Sequence, residues 1–199
     1  NPRRFAVAGL GGWGIVDGLV YENWREQSFT IEDIQKKHSD LKSAFGLDFG
    51  YTNDPSALFV GYISVKDQKL YVFDEMYKPG LSNKKIYTEI NAMGYSKESI
   101  VADCAEPKSI ADLRNEGIKA LACQKFPGCV MYRIKWLQNR RIVIDPKRTP
   151  NAWREFSQYE YMQSKDGEFL ADVPDKENHC IDSVSYALDR VIYRRGVSA

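Results

Sequence analysis

The sequence contains few of the residues that build disulfide frameworks or zinc sites. Its 199 residues include only four cysteines and two histidines. The cysteines (Cys104, Cys123, Cys129 and Cys180) are far apart along the chain, and no two of them form a C-x-x-C pair. Because a structural zinc site needs four closely placed Cys or His ligands, this composition argues against one. We therefore expect free thiols and a reducing compartment.

Long apolar runs are also missing. No stretch approaches the ~20 apolar residues of a transmembrane helix, and the N-terminus lacks the basic-then-apolar pattern of a signal peptide. With 43% hydrophobic and 13% aromatic residues, the composition predicts a folded, soluble, intracellular domain. The chain begins at Asn1 rather than at methionine, which indicates a piece of a longer protein.

The sequence contains no G-x-x-x-x-G-K-[ST] motif, which excludes ATP hydrolysis by the P-loop route. The segment 9-GLGGWG-14 does match the G-x-G-x-x-G pattern of a dinucleotide-binding turn. However, the residues that follow it, 15-IVDGLVYENW-24, are poor helix formers, and no second parallel β-α-β unit follows. We therefore expect no nucleotide site there.

A net charge of only +1 conceals an uneven distribution. Residues 119–148 contain eight basic residues and one acid, a net charge of +7, whereas residues 149–189 contain nine acids and three bases, a net charge of −6. A basic stretch beside an acidic one fits an enzyme that holds a polyanion and binds cations near it, although solvated helix faces would give the same pattern. The candidates for phosphate contacts are Lys119, Lys125, Arg133, Lys135, Arg140 and Arg141.

Hydrophobic periodicity predicts an α/β domain after a weakly patterned segment over residues 1–40. Three successive strands joined by a very short second link indicate an antiparallel meander, and strands then alternate with helices. The predicted strands are 44–50, 57–65, 69–77, 99–104, 118–123 and 142–145, and the predicted helices are 79–94, 106–117, 128–139, 150–159 and 178–193. An added β-hairpin over 160–173, turning at Asp166-Gly167, precedes the last helix.

Three aspartates stand out by their positions in these elements. Asp48 lies in a strand among Phe45, Leu47 and Phe49, where an ionised carboxylate costs several kcal/mol or more unless it is compensated. Asp103 ends a second buried strand, and Asp182 lies near the start of the last helix. Each acid alone could be a turn residue or a salt-bridge partner.

If the three carboxylates converge, two Mg²⁺ or Mn²⁺ ions would offset their repulsion. Such ions prefer oxygen ligands, and a pair of them can activate a water and stabilise a leaving oxygen on phosphorus. His179 precedes Asp182 by three positions, so both project from one helix face. It could position water, shuttle a proton or contact the phosphate, or it could simply be hydrogen-bonded near the helix start.

These residues carry a family resemblance. The segments 46-GLDFGYTNDPSAL-58, 101-VADCAEPKSIADLR-114 and 178-NHCIDSVSYAL-188 resemble the C-terminal nuclease domain of the large terminase subunit of tailed bacteriophages. That resemblance implies a ribonuclease H-like fold with a mixed five-stranded sheet, its first three strands antiparallel, flanked by helices. Asp48, Asp103 and Asp182 fall on the metal-binding acids of that family, and a histidine at the spacing of His179 belongs to its active site.

The resemblance further implies a metal-dependent endonuclease that cuts concatemeric double-stranded viral DNA with little sequence specificity. Residues 1–40 would be a linker from an absent N-terminal ATPase domain, and 41–199 would form the nuclease domain. The implied partners are DNA, the ATPase domain, the small terminase subunit and the portal protein, in the cytoplasm of a host cell. Two alternatives remain open: a junction resolvase or transposase-like nuclease of the same fold, and a non-catalytic docking module.

Overall fold

The computed structural model describes residues 18–51 and 53–193, and within these ranges it contains seven strands and seven helices. The strands are β1 (Trp24–Glu26), β2 (Lys42–Asp48), β3 (Pro55–Ser64), β4 (Lys69–Pro79), β5 (Ser99–Ala102), β6 (Lys119–Ala122) and β7 (Arg141–Ile144). The helices are α1 (Ile31–Lys37), α2 (Asn83–Ala92), α3 (Pro107–Asn115), α4 (Cys129–Gln138), α5 (Pro150–Gln158), α6 (His179–Ala187) and α7 (Asp189–Tyr193).

The strands form one mixed sheet in the order β1-β7-β4-β3-β2-β5-β6. Strands β2, β3 and β4 are the three predicted as a meander, and they are neighbours in the sheet. The pairs β1 with β7, β4 with β7, β2 with β5, and β5 with β6 are parallel. The prediction of a mixed sheet flanked by helices is therefore confirmed.

The sheet has seven strands, whereas the resemblance implied five. One additional strand, β7, was already visible in the sequence as the apolar run 142-IVID-145. The other, β1, was not predicted because three residues are too few to show an alternation of apolar and polar side chains. Trp24 of this strand is nonetheless buried and pairs with Ile142.

The chain divides into two compact units, and the first comprises the described residues of 1–43 together with 61–73 and 130–178. Helix α1 begins at the cap Thr30, whose side chain accepts a hydrogen bond from the Asp33 backbone N–H at 3.2 Å. Phe29 and Ile34 pack in a buried cluster that also contains Tyr71 and Val143. Residues 18–40, expected to be part of a linker, thus contribute a strand, a helix and core side chains to this unit.

The predicted hairpin also belongs to the first unit. Gln163 and Phe169 form an antiparallel bridge, the Leu170 backbone N–H donates to the Met162 carbonyl at 2.8 Å, and Gly167 adopts a positive φ of 86° in the turn. The glycine motif over residues 9–14 lies outside the described residues.

The second unit comprises 44–60, 74–129 and the described residues from 179 onward. Its parallel strands β2, β5 and β6 are accompanied by helices α2, α3 and α6. Helix α2 is capped by Ser82 and is followed by Gly94 at a φ of +84°, and α3 carries Pro107 in its first turn. These are the start and stop signals that the sequence displayed.

All four cysteines lie among the described residues, and none of them forms a disulfide. Within residues 18–51 and 53–193, no helix has the length and apolar character that a bilayer crossing requires.

Candidate active site

Two of the three predicted aspartates follow neighbouring parallel strands of the second unit. The register pairs Leu47 of β2 with Ala102 of β5, and the Asp103 backbone N–H donates to the Leu47 carbonyl at 3.1 Å. Asp48 and Asp103 therefore come next to each other at the carboxyl ends of the two strands, the edge of a sheet where ligand sites form in α/β folds.

Helix α6 approaches β2 closely because residue 46 has no side chain. A Cβ on Gly46 would lie 1.8 Å from the Ser183 carbonyl oxygen and 2.7 Å from the Ala187 backbone nitrogen. Most of α6 is buried, and Asp182 and His179 are among its partly exposed residues. The glycine thus lets the helix backbone rest on the strand and present these two side chains beside Asp48.

The Asp48 carboxylate is largely buried and is paired with His179. Asp48 is 9% exposed, and its Oδ2 lies 3.0 Å from His179 Nδ1. Burial raises the pKa of Asp48, the His179 hydrogen bond and charge oppose that rise, and the nearby Asp103 carboxylate adds to it. Since an ionised carboxylate only accepts hydrogen bonds, this pairing places a proton on Nδ1.

The Asp103 carboxylate contacts a lysine from the loop after β6. Lys125 Nζ lies 2.6 Å from Asp103 Oδ1, and the Ala105 backbone N–H donates to the same oxygen at 3.0 Å. Burial lowers the pKa of Lys125, but the hydrogen bond and charge of Asp103 outweigh it, and the net shift is upward. The lysine therefore stays protonated and supplies a fixed positive charge at this carboxylate.

Asp182 lies in the first turn of α6, three positions after His179, so the two side chains share one helix face. Burial is the largest cause that raises the pKa of Tyr186, and the carboxylates of Asp182, Asp48 and Asp103 raise it further, in that order. Three negative charges thus act on one buried hydroxyl. The structure places Asp48, Asp103 and His179 next to one another, and Asp182 lies on α6 three positions after His179.

The two proposed phosphate-binding lysines of the second unit, Lys119 and Lys125, differ in their surroundings. Lys119 begins β6 and is exposed, so it is available to a ligand from solvent. Lys125 is engaged with Asp103 and lies over the Tyr186 ring, 5.8 Å from its centroid. Lys125 is therefore part of the acidic site rather than of a separate basic surface.

The other four basic candidates belong to the first unit. Arg133 is only 2% exposed, and we withdraw it as a phosphate contact because DNA cannot reach a buried guanidinium. Arg140 stacks on the Trp136 ring and donates a hydrogen bond to the Trp136 carbonyl. Lys135 and Arg141 are exposed.

Sequence reasoning missed several contacts around the site. Beyond the Lys125 ion pair, the His179 ring meets Tyr77 edge to face, with centroids 6.2 Å apart, and the Cys180 thiol lies 3.8 Å from Glu75 Oε2. Glu75 and Tyr77 are two positions apart in β4 and so point to the same face of the strand, a spacing that is visible in the sequence. No local signal linked β4 to the last helix, because the contact spans about a hundred residues.

The donor set fits a hard divalent cation. It consists of three carboxylates, and burial together with the Asp103 charge raises the pKa of one of them, Asp48. Carboxylate oxygens are the ligands that Mg²⁺ and Mn²⁺ prefer. The positive charge of such an ion would compensate the free-energy cost of keeping these carboxylates ionised, which Lys125 and His179 compensate only in part.

Comparison with known proteins identifies the family. The family model described as the terminase RNAseH-like domain matches residues 48–190, which include all three aspartates and the histidine. The chain belongs to this family. The terminase domain is 35% identical over 191 residues to the large terminase subunit of Bacillus phage SPP1, covering 94% of the chain and 45% of that protein.

A second curated relative and a solved structure agree with the first. The PBSX phage terminase large subunit of Bacillus subtilis strain 168 is 27% identical over 144 residues, covering 72% of this chain and 33% of that one. The crystal structure of the SPP1 large terminase nuclease domain with bound Mn is 34% identical, with a TM-score of 0.77 over 86% of this chain and 98% of that one. The terminase domain thus spans less than half the length of the curated relatives.

Proposed function

We propose that this terminase domain is a divalent-metal-dependent endodeoxyribonuclease that cuts double-stranded DNA with little sequence specificity. The observation that carries the proposal is that Asp48 and Asp103 follow adjacent paired strands, and that α6, the helix with Asp182, brings His179 Nδ1 to 3.0 Å from Asp48 Oδ2, so three acids belong to one site. Such a concentration of negative charge has no stabilising purpose in a metal-free protein. The manganese bound to the SPP1 nuclease domain supports the same assignment.

In this proposal the three aspartates hold two Mg²⁺ or Mn²⁺ ions. Bound ions of this kind supply the charge that activates a water nucleophile and neutralises the leaving oxygen at phosphorus. Asp48 and Asp103 provide ligands from adjacent strand ends, and Asp182 provides one from α6.

His179 and Lys125 act through these carboxylates. His179 orients Asp48 through its Nδ1, and its ring positions the attacking water or contacts a phosphate oxygen. Lys125 Nζ contacts Asp103 Oδ1 at 2.6 Å, and if a divalent ion held that carboxylate, the lysine would be available to a DNA phosphate. Exposed Lys119 is a candidate phosphate contact of the second unit, and Lys135 and Arg141 are separate candidates of the first.

The larger context belongs to the same proposal. Residues 1–40 would continue from an N-terminal ATPase domain into the nuclease domain over 41–199, although residues 18–40 also pack into the first unit. Double-stranded DNA is the proposed substrate, and the small terminase subunit and portal protein are the proposed assembly partners. Cutting of concatemeric viral DNA in the host cytoplasm would begin and end packaging.

Plasmid cleavage tests the proposal directly. Supercoiled plasmid is incubated with the 199-residue chain in Mn²⁺, Mg²⁺, Ca²⁺ or EDTA, and nicked and linear products are quantified. We expect Mn²⁺ or Mg²⁺ to support cutting and EDTA to abolish it. Asp48→Asn and Asp182→Asn should abolish cutting, whereas Asp33→Asn, which makes the same charge change on the exposed face of α1, should retain it.

Two results would contradict the proposal. Cutting that survives both active-site substitutions would come from a contaminating nuclease. Cutting absent in every metal, while Mn²⁺ still raises the melting temperature of the chain, would instead indicate a docking module with a structural ion.

A further inference from the structure

Two cysteine thiols that form no disulfide lie at the ends of neighbouring strands, beside one of the candidate metal ligands. Parallel register pairs Ala102 of β5 with Ala122 of β6, so Cys104 and Cys123 follow the two strands at almost the same level. The Cys123 backbone N–H donates to the Ala102 carbonyl at 2.9 Å. Both sulfur atoms and one carboxylate oxygen of Asp103 lie within 4.8 Å of one another.

This group differs chemically from the three aspartates. Thiolates are soft ligands that select Zn²⁺ or similar thiophilic ions, whereas Mg²⁺ and Mn²⁺ prefer oxygen. With bond lengths of about 2.3 Å to sulfur and 2.0 to 2.2 Å to oxygen, tetrahedral Zn²⁺ sets its ligands roughly 3.5 to 3.8 Å apart. Ligand atoms already within 4.8 Å therefore need to move by only about 1 Å to bind one ion.

We propose that Asp103, Cys104 and Cys123 form a site for one thiophilic divalent cation of the Zn²⁺ class, with a water molecule as the fourth ligand. Both thiols give up their protons to the solvent when the cation binds. Cys104 is partly exposed and Cys123 is buried, so one side of the site is open to solvent and the other is closed.

Apolar packing explains only part of this arrangement. Cys123 belongs to a buried cluster with Val101 and Tyr186, and Cys104 packs against its edge. A small apolar residue would fill either position equally well. It would not place two sulfur atoms next to a carboxylate that Lys125 already contacts at 2.6 Å.

The shared carboxylate links this site to nuclease activity, and this consequence rests on the proposed function. An ion held by the two thiolates would also engage Asp103 and withdraw it from the Mg²⁺ or Mn²⁺ site. We therefore expect Zn²⁺ to inhibit cutting even when Mn²⁺ is in excess, and a zinc chelator to restore it.

Direct binding is the primary test, since it does not depend on activity. The reduced, metal-free 199-residue chain is titrated with Cd²⁺ as a Zn²⁺ analogue, and the ultraviolet charge-transfer absorption of cadmium thiolates is followed. We expect a 1:1 end point in the wild type, weaker binding in Cys104→Ser and loss of the signal in Cys104→Ser/Cys123→Ser. Cys129→Ser is the matched control, because it removes another buried free thiol and should bind as the wild type does.

Cleavage of plasmid in Mn²⁺, with and without Zn²⁺, is the second measurement. The inhibition, measured for each protein as the ratio of cutting with Zn²⁺ to cutting without it, should be weaker in Cys104→Ser and absent in Cys104→Ser/Cys123→Ser, and it should be as strong in Cys129→Ser as in the wild type. Circular dichroism spectra and melting curves show whether each variant is folded.

The outcomes separate this inference from the proposed function. A wild type that cuts DNA but gives no thiolate absorption, or gives the same absorption when both cysteines are replaced, overturns the thiophilic site alone. A wild type that binds Cd²⁺ through these thiols but never cuts DNA supports the site and contradicts the nuclease.

Discussion

At the scale of single residues, the charge pairs of the site determine how it responds to a cation. Lys125 occupies Asp103 at 2.6 Å and therefore competes with a divalent ion for that carboxylate. We predict that Lys125→Gln binds Mn²⁺ several-fold more tightly in isothermal titration calorimetry, because this competing charge is removed. Lys119→Gln, an exposed lysine on the same unit, is the control and should leave the Mn²⁺ affinity unchanged. An equal or lower affinity in Lys125→Gln would show that the ion pair does not oppose metal binding.

His179 orients the carboxylate of Asp48 through its 3.0 Å contact. Removing a residue that orients a ligating group typically costs about 10–100-fold in metal affinity or activity, and we predict a loss of this size for His179→Ala. His179→Gln, whose amide can still donate to Asp48, should recover part of the Mn²⁺ affinity but not the function of Nε2 in cutting. If His179→Ala binds Mn²⁺ and cuts DNA as the wild type does, the histidine has only a local structural role.

At the scale of elements, the close approach of α6 to β2 depends on Gly46. A Cβ at this position would meet backbone atoms that cannot move aside independently. We predict that Gly46→Ala destabilises the chain by about 1–3 kcal/mol or more, as overpacked cores do, and that it weakens Mn²⁺ binding because α6 carries Asp182 and His179. Urea unfolding monitored by circular dichroism measures the change. Ser43→Ala, on an exposed position of the same strand, should unfold as the wild type does.

The elements also show which features a local pattern can predict. Helices α2 and α3 have a cap, an apolar stripe and a stop signal within one stretch, and the sequence predicted both to within a few residues. Strand β1 lacked such signals because its partner β7 is more than a hundred residues away. The pairing of Cys104 with Cys123 was overlooked for the same reason: 19 positions separate them in the chain, and the parallel register of β5 and β6 brings them together.

At the scale of the whole molecule, the acidic site that serves the proposed function lowers the stability of the metal-free protein. Burial and the Asp103 charge raise the pKa of Asp48, so in the metal-free protein its ionised form costs stability, and this cost appears as the pH rises through that raised pKa. We predict that Asp48→Asn melts higher than the wild type in EDTA, by roughly 2 to 4 °C for each kcal/mol of relieved repulsion and burial. Added Mn²⁺ should raise the melting temperature of the wild type and leave that of Asp48→Asn almost unchanged.

Differential scanning calorimetry of both proteins, with and without Mn²⁺, measures these shifts. A lower melting temperature for metal-free Asp48→Asn would mean that the pairing with His179 stabilises the fold by more than the burial of the charge costs. Asp33→Asn again controls for the loss of one negative charge at an exposed position.

The sequence by itself determined the α/β class, most of the elements and the four candidate residues of the site. Their residue types are unusual for their positions, and that is a local property: Asp48 stands among apolar strand residues, and His179 and Asp182 share one helix face. Only the tertiary structure decided what those residues contact. The burial of Arg133 and the contact of Lys125 with Asp103 could not be predicted from the sequence. Both depend on strand register and on the approach of distant backbones, which no local pattern of side chains encodes.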